Sequence, residues 1–152
     1  MASMLALWTL WPASALPVMA ASRNYAASDE IAAYLGVMPA AIVRGHAAAH
    51  PEGQMHGGVP PRAREYHLVV AIFERPRESA SRMPRFTATI SGLGHVGETR
   101  IALDQMPIAG FVTYGGFVSL PGRDRYAIAI EIRRRAQTAS VKVNFSYDLG
   151  AE

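Results

Sequence analysis

At 152 residues, half of them hydrophobic and only 18% charged, the chain is long enough for one buried core and too apolar to stay disordered as a whole. Its net charge of +3 is mild, and the densest basic run, Arg133-Arg134-Arg135, reads as a solvated strand end, so no nucleic-acid partner is expected. The chain has no cysteine, which excludes disulfides, thiolate metal sites and thiol nucleophiles and leaves methionine and histidine as the soft metal ligands.

In chain order, "MASMLALWTLWPASALPVMA" carries no charged side chain. A short apolar run from Met4 to Trp11 is followed by small residues, and Val18-Met19-Ala20 fits a cleavage site before Ala21. The expectation is a secretory signal peptide over residues 1–20 and a single domain over 21–152. Pro12 and Pro17 break a run already too short to cross a bilayer, so no membrane span is expected in the mature chain. Export together with the lack of cysteine points to a periplasmic or secreted protein.

Residues 21–30 read as a loose lead-in. "IAAYLGVM" (31–38) is apolar and of strand length, and Pro39 ends it. "PAAIVRGHAAAH" (39–50) has room for a helical turn or two before Gly45 and Pro51 stop it. "HPEGQMHGGVPPRAR" (50–64) is rich in glycine and proline and reads as an extended loop. "YHLVVAIFE" (66–74) is apolar on both faces, as a central strand is. After a polar connection, "RFTATIS" (85–91) alternates, "GLGHVG" (92–97) is a turn, and "ETRIALDQM" (98–106) follows. "FVTYGGFVSL" (111–120) contains Gly115-Gly116, which reads as a bend or hairpin. "RYAIAIEIRR" (125–134) puts Tyr126, Ile128, Ile130 and Ile132 on one face, and "SVKVNFSYDL" (140–149) does the same with Val141, Val143, Phe145 and Tyr147. Seven short strands separated by Gly/Pro turns, with no long amphipathic helix, predict an all-β, immunoglobulin-like antiparallel sandwich. "LPGRDRYAIAIEI" adds a tyrosine just inside a strand after a Pro-Gly turn. That is where a tyrosine corner ties its hydroxyl back to the preceding loop.

The succession "EYHLVVAIFE", "FTATIS", "LPGRDRYAIAIEIRR" and a last strand, covering roughly residues 66–149, resembles the YtkA-like/FixH-like group of exported immunoglobulin-like domains. It is also similar in outline to CopC-like periplasmic copper-resistance proteins. Both resemblances imply a periplasmic sandwich linked to copper handling or to cytochrome oxidase assembly. The Met/His elements of that group are placed differently from those of this chain, so the site rests on local chemistry.

That chemistry is concentrated in "GHAAAHPEGQMHGG". Three of the five histidines, His46, His50 and His56, lie here with Met55. His46 and His50 are four apart and would share a face of a helical turn, and Gly57-Gly58 lets the backbone fold around a small ion. Imidazole with thioether and no thiolate favours copper over zinc, and Glu52 is placed to orient a histidine. His67, Met38, Met106 and His95 join this set only if the fold brings them close. His67, beside Tyr66 on a central strand, otherwise reads as a hydrogen-bonded interior histidine. The structural alternative for the whole segment is a polar loop with Met55 filling a gap at the core edge.

No enzyme is expected. The chain has no nucleophile motif and no paired acid and base, and "GLGHVG" lacks the spacing and βαβ context of a dinucleotide site. The sequence therefore points to a periplasmic metal-binding protein that stores, delivers or buffers copper through His46, His50, Met55 and His56. The competing reading is an envelope protein-interaction module, an adaptor or assembly factor without a metal.

Overall fold

The computed structural model describes residues 24–28, 31–45, 58–74, 84–94, 97–134 and 139–150. Eight strands are present: β1 (Tyr25–Ala27), β2 (Ile31–Pro39), β3 (Glu65–Glu74), β4 (Arg85–Gly92), β5 (Glu98–Ile108), β6 (Phe111–Ser119), β7 (Arg125–Arg133) and β8 (Val141–Asp148), with one helix, α1 (Ala40–Arg44), after β2. All seven strands read from the sequence are found. The eighth, β1, lies in the expected lead-in: three residues, Tyr-Ala-Ala, are too few to show an alternating pattern. The expected signal peptide, residues 1–20, lies outside the described residues. Among those described, no helix is long and apolar enough to cross a membrane.

Every strand pairing is antiparallel, in the order β1-β2-β3-β6-β5-β4-β7-β8. β3 is therefore an interior strand, as its two apolar faces require. β5 joins the two halves of the sandwich. Its first half pairs with β4, from Ser91↔Glu98 to Phe86↔Leu103, and its second half pairs with β6, from Asp104↔Gly115 to Ile108↔Phe111. A strand that changes sheets in this way makes the corner of a sandwich. β1 touches β8 on the far side, so the two sheets form an all-β, immunoglobulin-like, barrel-like sandwich.

Alternation then determines the core. Directly paired residues share a face, and one face of every long strand converges inward: Ile31, Ala33 and Leu35; Leu68 and Val70; Phe86, Ala88 and Ile90; Leu103; Val118; Tyr126, Ile128, Ile130 and Ile132; Val143 and Phe145. Phe86 stacks on Tyr114 at 3.7 Å between ring centroids, which joins one sheet to the other through the interior.

The tyrosine corner is formed. The Tyr126 hydroxyl donates to the Gly122 carbonyl at 2.9 Å and accepts from the Gly122 N–H at 3.1 Å, which braces the turn between β6 and β7. Tyr126→Phe keeps the ring and removes both bonds. We expect a loss of about 1–2 kcal/mol in unfolding free energy, readable by urea denaturation with an unchanged slope.

Gly115 and Gly116 do not bend the chain. Both lie inside the continuous strand β6, paired to β3 as Val69↔Gly115 and Leu68↔Gly116. Close approach explains them instead. A Cβ on Gly116 would sit 3.0 Å from the Ala102 carbonyl at the sheet corner, and Gly115 makes room on the opposite face.

Candidate metal centre

The outward faces of β2, β3, β6 and β5 form three rows. The first is Met38, His67 and Phe117; the second is Gly36, Val69, Gly115 and Asp104; the third is Tyr34, Ala71, Thr113 and Met106. An outward face of a sandwich normally meets water, yet here His67 and Met106 are each 0% exposed and Thr113 is 6% exposed. Met106 is buried but stands outside the main core cluster, and so do Ala40 and Val43 of α1, which packs against β2 and β3. The sandwich thus buries a second, smaller group of side chains on the reverse of its first sheet.

Gly115 lies at the centre of this group. His67 comes from the row on one side of it and Met106 from the row on the other, and both side chains lean into the space a glycine leaves. His67 Nε2 is 3.0 Å from the point where a Cβ would sit, and Met106 Cε is nearer still. An imidazole nitrogen and the terminal methyl of a thioether side chain therefore share one cradle. The His67 ring is held by stacking on Phe117, with centroids 4.6 Å apart and planes at 27°. Met106 is fixed through its backbone, whose carbonyl accepts a hydrogen bond from Thr113 Oγ1 at 3.1 Å. Met38 is the direct cross-strand partner of His67, which adds a second thioether to the same row.

The residues singled out for copper in the sequence, His46, His50, Met55 and His56, lie outside the described residues, as does His95. The ends of the segment that carries the first four are described. On one side α1 ends at Arg44, whose guanidinium donates to the Pro60 carbonyl on the other. Of the four further candidates, the fold brings His67 and Met106 together over Gly115, while Met38 pairs with His67 on the side of β3 away from them. Among the described residues no group of three or more His, Cys, Asp or Glu side chains could hold a metal ion; methionine is not counted in such a group. The interior position expected for His67 is the observed one. Its neighbourhood with Met106 was not readable from the sequence, because it depends on β3 pairing with β6 across two intervening strands.

The donor set fits copper. Both cradle donors are neutral and polarizable, the thioether suits Cu(I), and imidazole suits either oxidation state. The glycine leaves the space into which the His67 nitrogen and the Met106 methyl group project, so the two side chains that carry the donors are neighbours.

No protein-family model and no curated protein sequence matches the chain. Solved structures do. A DUF4426 family protein from Pseudomonas aeruginosa PAO1 is 10% identical, with a TM-score of 0.55 over 82% of this chain and 92% of that one. A copper-bound variant of FetP from uropathogenic Escherichia coli strain F11 is 12% identical, with a TM-score of 0.54 over 84% of this chain and 97% of that one. At this level of identity the likeness is one of fold: the chain shares its sandwich architecture with both proteins over nearly their whole lengths.

Proposed function

We propose that the protein is a periplasmic copper-binding protein of the kind its YtkA-like/FixH-like and CopC-like resemblances imply, which stores or delivers the ion without carrying out a reaction. The observation that carries this reading is the meeting of His67 Nε2 and the Met106 side chain over Gly115. The sheet supplies one imidazole and one thioether side chain in a fixed position. On this reading His46, His50 and His56 add imidazoles and Met55 a thioether. Copper bound in the FetP structure of the same fold supports the choice of metal.

Titration with Cu(I) and Cu(II) tests the reading on the native chain and two variants, Met106→Leu and the triple change His46→Ala, His50→Ala and His56→Ala. One ion per chain is expected, with affinity reduced more than about tenfold in each variant. Stoichiometric binding that survives in Met106→Leu but not in the triple variant would confine the site to the loop; no binding by the native chain sinks the reading. All the donors are neutral when they bind, so protons compete with the metal. Affinity should be constant above about pH 7 and fall as the pH drops through the imidazole range near 6.

One observation favours the adaptor reading as a companion function. The same outward face continues into an exposed aromatic strip, with Tyr25 4.9 Å from Tyr34 and Tyr34 5.8 Å edge-on from Phe73, and half or more of the Tyr34 and Phe73 surfaces open. Contiguous exposed aromatics are a common contact surface for a protein partner, here one that would dock on the same outward face.

A further inference from the structure

A second concave site lies at one mouth of the sandwich, on the inner side of β3 where His67 is on the outer. It is a pocket of about 340 Å³ lined by Val37 and Pro39 of β2, Arg64 and Tyr66 at the start of β3, Leu120, Gly122 and Arg123 of the turn before β7, and the end of β8 from Tyr147 to Gly150. This volume is at the lower end of the range for small-molecule sites, roughly 300–1,000 Å³, and suits a ligand about as large as an amino-acid derivative.

From these features we infer that this mouth binds a small organic carboxylate carrying an apolar tail. The floor is apolar, because Val37, Tyr66, Tyr147 and Leu149 pack against the main core there and Leu120 is buried at 1% exposure. The rim is cationic. Arg64 and Arg123 both line it, and a guanidinium presents a planar fork that matches a carboxylate. Asp148 also lines the pocket, but it is engaged: its Oδ2 lies 3.7 Å from Arg125 Nη2 and its Oδ1 accepts from the Gly150 N–H at 3.0 Å. Arg123 is thus left to clamp the ligand, with the remaining donors of Arg64 beside it, while the nearby carboxylate disfavours a dianion. That balance selects a monoanion, and the floor selects one with a hydrophobic tail.

The rim is also built with care for position. Arg64 has a left-handed backbone, φ 66°, which is uncommon for a residue with a side chain. Two bonds hold it there: its carbonyl accepts from the Leu120 N–H at 3.0 Å, and its guanidinium donates to the Pro121 carbonyl, which uses part of a five-donor group. Arg123 follows Gly122, the residue braced by Tyr126, and its guanidinium makes no hydrogen bond or ion pair among the described residues. One arginine is locked as a wall and the other is available as a clamp.

The test is calorimetric titration of the purified chain with 3-phenylpropionate, 3-phenylpropanol and inorganic phosphate, repeated on Arg123→Gln. We expect saturable binding of the phenylpropionate, binding of the neutral alcohol about tenfold or more weaker, and a similar loss on Arg123→Gln, the size of one charge-assisted contact. Arg123→Gln removes no bond of the folded chain, so its melting temperature serves as the folding control. Absence of saturable binding, equal binding by Arg123→Gln, or phosphate binding as tight as phenylpropionate would each overturn the proposal. None of these results depends on copper, because the metal cradle is on the other face of β3.

Discussion

Gly115→Ala will destabilise the protein by about 2–3 kcal/mol, the upper part of the range for an overpacked interior, and, on the copper-binding reading, will lower copper affinity in the same stroke. The added methyl group meets three neighbours at once. Met106 Cε can swing away, since it ends a flexible side chain. The Leu68 carbonyl, 2.8 Å from the new Cβ, belongs to the backbone of the central strand and cannot. His67 Nε2, at 3.0 Å, is held by its stacking on Phe117. The strain therefore falls on the β3–β6 pairing, and the easiest relief, moving Met106, separates the two donors. Gly36→Ala is the matched control. It lies in the same outward row, but the nearest atoms to its Cβ are at 3.8 Å, an ordinary contact, so stability and copper binding should change little. Denaturant unfolding and Cu(I) titration of both variants decide the matter. If Gly115→Ala behaves like Gly36→Ala, the cradle has more room than its geometry shows.

A second large effect is expected far from the cradle. Ile130 is fully buried in the middle of β7, paired with Ala88 of β4 on one side and Val143 of β8 on the other. Ala88, itself without exposed surface, is too small to close over a gap. Ile130→Ala should therefore cost about 3–4 kcal/mol, combining lost burial with the cavity left behind, and lower the melting temperature by about 3 °C for each of those kcal/mol. Copper stoichiometry should be unaffected in the fraction that remains folded. Ala127→Ser, exposed on the other side of the same strand, should stay within about 0.5 kcal/mol of the parent. Similar stabilities for the two variants would mean that the core repacks around Ala88.

The sandwich was readable because its strands alternate. Tyr126, Ile128, Ile130 and Ile132 recur at every second position, and all four are buried. Two features eluded the same reasoning for different reasons. β1 is too short for a period to show. The glycine pair in β6 carries the usual mark of a turn, but those glycines answer to neighbours on β3 and β5, and such contacts are not local. A trace of the sheet corner does lie in the sequence: along β5 the buried residues are Leu103 and Met106, three apart, so the alternation slips where the strand moves from one sheet to the other. The candidate site divides in the same way. The histidines of the 46–56 segment stand out by their density, whereas His67 and Met106 are 39 positions apart in the chain and have nothing in common until the sheet assembles.

That separation bears on timing. His67 and Met106 meet only after β3 has paired with β6, a long-range closure that skips β4 and the first half of β5, and such closures are the slow events in forming β proteins. An unfolded or half-assembled chain therefore carries every copper donor and no cradle. On the copper-binding reading, ion capture should trail the rise of protected β3 and β6 amides in a refolding experiment, because the pairing that joins them also brings His67 and Met106 together.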